Sequence, residues 1–340
     1  MPQFEDVFLP DSKILVTGAG GFIGGHLIAN LFERGFTNLR AIDIKPIGAW
    51  YQRFEGVDNL SLDLQEIQHC RAATQDVTVV FNLAADMGGM GFIEANKAAC
   101  MLSSLINTHM LLASKENGVQ RYFFSSSACV YNLEMQTTAD LTPLKEADAY
   151  PAMPEDGYGW EKLFAERMCR HFTEDFGLET RIARFHNVYG PLGTWDGGRE
   201  KAPAAICRKV ATAAIQGKPD IEIWGDGEQS RSFMYIDDCL RGVTELMASD
   251  YRDPLNIGSA ELVTINELVT MVEEIAGVKL DRRYALDAPK GVRGRNSDNT
   301  LIQKTLGWEP SIPLREGLEA TYRWIHQEIR EGKSDSIYNA

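Results

Sequence analysis

Short apolar runs alternate along this chain with longer segments whose apolar residues recur every three or four positions. Continuous apolar runs are typical of strands that are covered on both faces. The pattern predicts strands at residues 13–17, 39–43, 77–82 and 122–125, with helices such as 22–34 and 94–117 between them. The order of elements predicts an α/β fold, a doubly wound parallel sheet of the Rossmann type.

Beyond about residue 190 the pattern changes to polar loops with interspersed amphipathic helices at 265–276 and 314–329. This change predicts a smaller C-terminal lobe that binds the substrate, because lobe junctions usually hold ligands. We therefore expect a dinucleotide-binding domain at 11–190, with returning segments at about 225–260. A substrate lobe is expected mainly at 191–330, and a flexible tail at 331–340.

Composition narrows the possible partners. The chain has 340 residues, a net charge of −14 and no basic block, so nucleic acid is not an expected partner. No signal peptide and no apolar window of about 20 residues can be found, which predicts a cytoplasmic protein without a membrane span. An anionic substrate would need local lysines and arginines in so acidic a protein.

The six cysteines are scattered and lack the spacing of a metal site. We expect no metal and no disulfides, which fits a reducing compartment. Most free cysteines are small buried hydrophobes, and this is the expectation for all except Cys129. That residue follows a predicted strand end, where chemistry is often located.

A glycine-rich turn between the first strand and the first helix predicts a dinucleotide site. Gly18, Gly21 and Gly24 are three residues apart, and Gly20 is also present. Glycines there permit a tight turn and close approach of the backbone to a pyrophosphate, which the helix N-terminus can bind.

An acidic residue after the second strand refines the cofactor prediction. Asp43 lies about 20 residues past the glycines, where a carboxylate bonds the ribose hydroxyls and disfavours a 2′-phosphate. NAD is therefore expected rather than NADP, although Lys45 nearby weakens this preference. Asp63 is a candidate for the adenine edge, and a surface aspartate is an equally good interpretation.

Tyr158 and Lys162 are four residues apart, so they share one face of a predicted helix. An ammonium beside the phenol, together with a positive nicotinamide, would lower the phenol's pKa towards a useful range. Tyr158 could then take the proton of a substrate hydroxyl while its carbon gives up hydride. Ser127, at the end of the fourth predicted strand, could hold the same oxygen.

Residues 17–24 together with Tyr158 and Lys162 resemble the extended short-chain dehydrogenase/reductase superfamily. Residues 82–86, 184–190, 231–237 and 256–258 resemble its nucleotide-sugar branch. The resemblance implies a nucleotide-sugar substrate, resident NAD and commonly a homodimer. It also implies NAD contacts at Gly18, Gly21, Phe22, Ile23, Gly24, Asp43, Asp63, Ala84, Tyr158 and Lys162.

The residues after Ser127 bear on the reaction. Dehydratases of the superfamily have an Asp-Glu pair there, and this chain has Ala128 and Cys129, so a 4,6-dehydratase is disfavoured. A 4-epimerase needs only the serine, tyrosine and lysine and remains an alternative. Cys129 and Lys201 suggest a further step, the inversion of ring carbons. Once C4 of the sugar is a ketone, its C3–H and C5–H bonds become acidic. A thiol–amine pair could then invert C3 and C5 if the pKa of each group moves towards neutrality.

Residues 82–92, 126–129, 198–205 and 291–299 closely resemble the GDP-mannose 3,5-epimerase family. That family converts GDP-D-mannose to GDP-L-galactose and GDP-L-gulose, and the resemblance implies that Cys129 and Lys201 are the acid–base pair. It implies substrate contacts at Gly88, Ser127, Ala128, Cys129, Tyr158, Asn187, Glu200, Lys201, Ala202, Lys209, Gln229, Ser230, Arg231 and Arg293. A related GDP-sugar, such as a manno-heptose, and a non-catalytic NAD-binding protein are further alternatives.

Overall fold

The computed structural model describes residues 2–139, 142–289 and 291–333. Its strands are β1 Ile14–Thr17, β2 Leu39–Asp43, β3 Asp58–Ser61, β4 Val79–Asn82, β5 Arg121–Ser127, β6 Glu179–Phe185, β7 Val188–Tyr189, β8 Asp220–Trp224, β9 Ser230–Ser232, β10 Met234–Tyr235, β11 Leu255–Ile257, β12 Leu262–Thr264, β13 Asp281–Ala285 and β14 Gly294–Arg295.

The α-helices are α1 Phe4–Val7, α2 Phe22–Glu33, α3 Ile67–Ala73, α4 Met90–Ala95, α5 Lys97–Glu116, α6 Tyr158–Phe176, α7 Ala202–Gln216, α8 Ile236–Ala248, α9 Ile265–Ala276, α10 Thr300–Leu306 and α11 Leu314–Arg330. Short 3₁₀ turns span Ile47–Ala49, Ala128–Val130, Leu133–Gln136 and Glu146–Ala149.

Within the described residues, seven parallel strands form the central sheet in the order β11-β6-β5-β4-β1-β2-β3. The chain winds outward from β1 in one direction as far as β3 and then returns to β4 on the other side. The predicted doubly wound fold is confirmed. Ligands of such sheets bind at the carboxyl ends of the strands where the winding reverses, which here is between β1 and β4.

Successive side chains of a strand point to opposite faces, so each central strand contributes to two cores. Val16 and Phe81 pack on one face with residues of α2 and α8. Leu15 and Val80 pack on the other face with residues of α3, α5 and α6. Because both faces of the central sheet are covered, the sequences of its strands are continuous apolar runs.

The C-terminal half adds a smaller packed region beside the carboxyl edge of the sheet. Its core is built from α7, α9 and α11 against β8, with Leu268, Val272 and Leu318 fully buried. A separate three-stranded sheet has the order β12-β9-β14. The predicted domain boundaries stay a prediction, and most of the predicted tail, residues 334–340, lies outside the described residues.

Among the described residues, no helix combines the length and apolarity needed to cross a bilayer. The same residues contain no cluster of histidine, cysteine and carboxylate side chains that is arranged to hold a metal ion.

Candidate active site

The glycine turn after β1 is packed too closely for side chains. Gly18 has a φ of +69°, which favours glycine, and a Cβ at Gly24 would lie 2.2 Å from the Gly18 carbonyl oxygen. Gly21 is the N-cap of α2, so the first turn of this helix presents its N–H groups beside the glycines. The turn therefore forms a cradle that an anionic group could enter.

Asp43 lies at the carboxyl end of β2, against this cradle. Its carboxylate accepts hydrogen bonds from the N–H groups of Gly20 and Lys45, each at 3.0 Å. Burial raises the pKa of Asp43, and these hydrogen bonds oppose the rise. Asp63 follows the adjacent strand, and its Oδ1 accepts the Gln65 N–H at 2.9 Å. The contact of Asp63 with the adenine edge stays a prediction.

The segment after β4 is fixed to β1 by one hydroxyl. Thr17 Oγ1 donates to Asn82 Oδ1 at 2.8 Å and accepts the N–H groups of Leu83 and Ala84, each at 3.1 Å. These bonds hold Ala84 at the point where the sheet reverses its winding.

Tyr158 and Lys162 are both buried in the first turns of α6, as their spacing predicts. Lys162 Nζ lies 5.5 Å from the centroid of the Tyr158 ring and 3.6 Å from Glu161 Oε2. Nζ is 1% exposed and has no hydrogen-bond partner among the described residues. A buried ammonium in that state is suited to bind hydroxyl groups of a ligand.

The pKa of the Tyr158 phenol differs in direction from the sequence expectation. Burial raises it well above its ordinary value, the nearby Cys129 and Glu161 raise it further, and a hydrogen bond with Ser127 lowers it. Burial outweighs the neighbouring ammonium because a phenolate loses its hydration in the protein interior. The unliganded site therefore holds a protonated phenol.

Cys129 lies in the 3₁₀ turn that follows β5, beside Tyr158. Its N–H donates to Ser127 Oγ at 3.2 Å, and its side chain packs with Ile93, Cys100 and Tyr158. The residue is 7% exposed. Burial raises the thiol's pKa to about 12, with the carboxylate of Glu155 as the next cause. The expectation of a pKa lowered towards neutrality is wrong for this thiol in the unliganded chain.

Two partners of Cys129 were not found by sequence reasoning. Arg295 Nη2 forms an ion pair with Glu155 Oε1 at 2.9 Å, and Arg295 Nη1 lies 3.5 Å from Cys129 Sγ. Arg295 Nε donates to Gln136 Oε1 at 2.6 Å. We call Cys129, Glu155 and Arg295 the thiol cluster. The only signal in the sequence was the string around Arg295, since the ion pair joins residues 140 positions apart.

Lys201 immediately precedes α7, and its side chain reaches the thiol cluster. Burial lowers the pKa of its ammonium, the nearby Cys129 raises it, and Arg295 lowers it. The downward direction agrees with the sequence expectation for this residue. Cys129 and Lys201 are thus close enough for the charge of one to act on the other, although 72 positions separate them.

The predicted contacts at Gly88 and Glu200 belong to two loops that pack on each other. The N–H of Gly89 donates to the Arg199 carbonyl at 2.9 Å, and a Cβ at Gly89 would lie 2.4 Å from the Glu200 carbonyl. The Glu200 carboxylate accepts Arg208 Nη2 at 2.9 Å.

The cations expected to bind an anionic substrate are distributed around the same edge. Arg231 lies near the thiol cluster, where burial and then Arg295 lower its pKa to about 9. Arg293 donates to both carboxylate oxygens of Asp226 at 2.8 Å, and Lys209 Nζ donates to a backbone carbonyl at 2.7 Å. Arg293 and Lys209 would therefore exchange partners if they bind a ligand.

The remaining predicted contacts lie on β9 and its neighbours. Asn187 Nδ2 donates to the Ser232 carbonyl at 3.1 Å, and the Ser230 N–H donates to the Arg293 carbonyl at 3.0 Å. Gln229 Oε1 is buried and has no hydrogen-bond partner among the residues the structure describes. Ala128 and Ala202 lie beside Cys129 and Lys201 in the chain.

A cavity of about 470 Å³ opens beside the thiol cluster. Its lining includes the polar residues Gln136, Glu155 and Arg293 and the apolar residues Met90, Ile93 and Leu133. The mixture of apolar surface and a few polar groups is typical of a small-molecule site.

A buried network of hydrogen bonds joins β5, β6 and α6 next to the site. Arg184 forms two hydrogen bonds to the Glu166 carboxylate, at 2.9 and 2.7 Å, and Glu166 also accepts the Ser126 hydroxyl. His186 is fully buried, with Nε2 3.1 Å from Asn256 Oδ1, and burial lowers its pKa to about 3. His186 is thus a packed histidine, and the six cysteines are free and buried.

Comparison with known proteins gives concordant results. Residues 14–258 match the model of the NAD dependent epimerase/dehydratase family. The chain is 47% identical over 323 residues to the GDP-mannose 3,5-epimerase of Arabidopsis thaliana, which covers 95% of this chain and 84% of that protein.

Solved structures also match over nearly the whole chain. UDP-glucose 4-epimerase from Thermotoga maritima with UDP-glucose has a TM-score of 0.84 at 26% identity, covering 93% of this chain and 99% of that one. UDP-glucuronic acid 4-epimerase from Bacillus cereus, in complex with UDP-glucuronic acid and NAD, has a TM-score of 0.79 at 26% identity, with coverages of 93% and 99%.

Proposed function

This chain belongs to the NAD-dependent epimerase/dehydratase family, and we propose that it is a 3,5-epimerase that converts GDP-D-mannose to GDP-L-galactose, with GDP-L-gulose as a second product. The observation that carries the proposal is the meeting of Cys129 and Lys201 beside Ser127 and Tyr158. A thiol and an amine at the same site supply the two proton-transferring groups that inversion of a carbon needs.

NAD is the cofactor of this family, and the residues present fit it. The cradle at Gly18 and Gly24 suits a pyrophosphate, Asp43 suits ribose hydroxyls, and the buried Lys162 ammonium, paired with Glu161 at 3.6 Å, suits a second ribose. Bound NAD would supply the hydride acceptor for oxidation at C4 of the sugar and the hydride donor for re-reduction.

Tyr158 and Ser127 handle the proton of the C4 hydroxyl. We propose that the charges of Lys162 and of a bound nicotinamide would lower the pKa of Tyr158, so that its phenolate takes this proton as the carbinol becomes a ketone and gives it back in the last step. Ser127 is already hydrogen-bonded with Tyr158, so one hydroxyl can hold the substrate oxygen beside the phenol. Lys162 stabilises the phenolate by its charge, because its ammonium lies against the Tyr158 ring.

Cys129 and Lys201 act while C4 is a ketone. The C3–H and C5–H bonds are then acidic, because loss of either proton gives an enolate. One of the two groups takes the proton from one face of the ring, and the other delivers a proton to the opposite face. Reduction of the ketone closes the cycle without net oxidation.

The diphosphate of the substrate needs cations in a protein of net charge −14. Arg231, Arg293 and Lys209 are the proposed partners, since arginine binds phosphate with two parallel hydrogen bonds. Asn187, Gln229 and Ser230 would place the nucleotide, and Gly88, Glu200 and Ala202 would border the sugar.

Incubation with GDP-mannose in deuterium oxide tests the function directly. We expect deuterium at C3 and C5, and loss of both signals in Cys129→Ser and in Lys201→Met by about 10²-fold or more. Cys207→Ser, at a buried thiol in the core formed by α7, α9 and α11, is the matched control for removal of a sulfur. Inversion at C4 alone, unaffected by Cys129→Ser, would identify a 4-epimerase instead.

We also propose that the protein is a cytoplasmic homodimer. α5 and α6 pack side by side and expose a neighbouring set of large apolar side chains, Met101, Leu102, Leu105, Trp160 and Phe164. A second copy would cover this face, since apolar patches of this kind mark protein interfaces. Phe164→Glu should yield monomers in analytical ultracentrifugation, and Leu286→Glu, an exposed leucine elsewhere, should not. A monomeric native protein would contradict the proposal.

A further inference from the structure

Glu155 is a buried carboxylate next to the reactive sulfur, and the proposed chemistry assigns it no role. Its Oε1 is paired with Arg295. Its Oε2 accepts no hydrogen bond from a nitrogen or oxygen donor in the described part of the chain. The Glu155 N–H donates to the Cys129 carbonyl at 3.0 Å, so the backbones of the two residues are fixed to each other.

Arg295 prevents the carboxylate from turning away. It lies on β14, whose pairing with β9 fixes its position opposite Arg231. Its guanidinium spans three groups, donating to Gln136 and Glu155 and approaching Cys129 Sγ to 3.5 Å. The thiol cluster is therefore built as a unit in which sulfur, carboxylate and guanidinium have fixed neighbours.

Charged and titratable groups face Cys129 from each element packed around it. They are Glu155 from the loop before α6, Tyr158 from α6, Lys201 from the residue before α7, Arg231 from β9 and Arg295 from β14. Burial and then the charge of Glu155 raise the pKa of the thiol, and Arg295 lowers it. Glu155 thus opposes the cations that would otherwise favour a thiolate.

We propose that Glu155, anchored by Arg295, holds the proton on the Cys129 sulfur in the unliganded site. The negative charge of the carboxylate favours the protonated sulfur, which remains a thiol and resists oxidation and alkylation better than a thiolate. Glu155 also lines the cavity of about 470 Å³, so a ligand there meets the carboxylate. Glu155 acts through Cys129 and is a positioning residue. The consequence for turnover, that the sulfur enters the reaction carrying a proton, rests on the proposed epimerase function.

The pH dependence of Cys129 alkylation by iodoacetamide tests this inference without any substrate. Peptide mass spectrometry separates the Cys129 adduct from those of the other cysteines. In Glu155→Gln, which keeps an acceptor for Arg295, we expect the titration to move to lower pH by about one unit or more. Alkylation near neutral pH should then be about tenfold faster or more.

Two controls make the comparison specific. Glu155→Asp keeps the charge and should restore slow alkylation. Asp156→Asn removes the adjacent carboxylate, which is exposed and paired with Lys97 at 2.7 Å, and should leave the titration unchanged. A residue with a merely structural role would not move the titration in a charge-dependent manner.

A folded Glu155→Gln protein whose Cys129 titrates like the native one would overturn the inference. If that variant does not fold, Glu155→Ser serves, and its titration should also move to lower pH because the carboxylate has been lost from beside the sulfur. No movement, or movement to higher pH, would again overturn the inference. Failure of the deuterium experiment with a shifted thiol titration would count against the epimerase function alone.

Discussion

Replacing Gly24 by alanine adds one methyl group at the point where α2 crosses the strand-to-helix turn. The new Cβ would lie 2.2 Å from the carbonyl oxygen of Gly18 and 2.8 Å from Ala19 Cα. Real Cβ atoms essentially never approach another heavy atom within 3.0 Å, so the first turn of α2 has to move by close to an ångström. Both sides of the contact are backbone and neither can rotate away.

The cost follows from this geometry. Overpacking of a rigid site costs about 1–3 kcal/mol, and a clash between two backbone segments belongs at the upper end of that range. The same displacement moves the N–H groups that form the cradle for the pyrophosphate. We therefore expect Gly24→Ala to lower the melting temperature by several degrees and to reduce bound NAD by about tenfold or more.

Two other glycines provide matched controls. A Cβ at Gly25, the next residue of the same helix, would meet the flexible side chain of Gln52 at 3.2 Å and the Ala19 carbonyl oxygen at 3.4 Å, which is ordinary van der Waals contact. A Cβ at Gly48 would have no described atom within 4 Å. Both alanine variants should keep NAD, measured by extracting and quantifying the cofactor from purified protein. Equal NAD content and melting temperature in Gly24→Ala and native protein would refute the reasoning.

Three further predictions follow from the buried polar groups. Lys162→Met should reduce epimerisation by about 10²–10⁴-fold, measured as deuterium incorporation, because the phenolate loses its neighbouring charge. It should also lower the free energy of unfolding, because the buried Glu161 carboxylate loses its ion pair; full activity would contradict the role assigned to Lys162. Arg184→Met should lower the free energy of unfolding by about 3–5 kcal/mol in urea titrations, since it leaves the Glu166 carboxylate buried without its ion pair. A decrease of less than about 1 kcal/mol would show that the Arg184–Glu166 ion pair is not desolvated. Burial lowers the pKa of His186 from 6.5 to about 3, so the unfolded chain binds a proton in this interval and the folded chain does not. The free energy of unfolding should therefore fall as the pH drops from about 6.5 to about 3, by at most about 5 kcal/mol from this group, and His186→Gln should have a flatter dependence if the histidine is the cause.

The placement of cations explains how an acidic chain can bind an anionic substrate. Arg231 lies on β9, Arg295 on β14 and Arg293 directly before β14, so the pairing of these two short strands brings the three cations together. Asp226 and Glu155 each neutralise one of them in the unliganded chain. A diphosphate that displaces Asp226 from Arg293 would replace one charged partner by another, which limits the desolvation cost of binding.

The amino-acid pattern alone determined the local features of this protein. Apolar runs predicted four of the seven strands described in the central sheet, β1, β2, β4 and β5, because a strand that is covered on both faces needs apolar residues at consecutive positions. The same holds for the glycine spacing before α2 and for Tyr158 and Lys162 on one face of α6. Each of these features is contained in fewer than ten consecutive residues.

The tertiary structure alone decided what surrounds the reactive groups. Only packing could bring Arg295 to Glu155 and Cys129, because Arg295 is 140 positions from Glu155 and 166 from Cys129 and no periodicity links them. Packing also set the direction of the pKa changes: desolvation raised those of Cys129 and Tyr158, where charge arguments from the sequence had predicted a fall. Desolvation depends on every atom that excludes water from a group, and those atoms come from segments far apart in the chain.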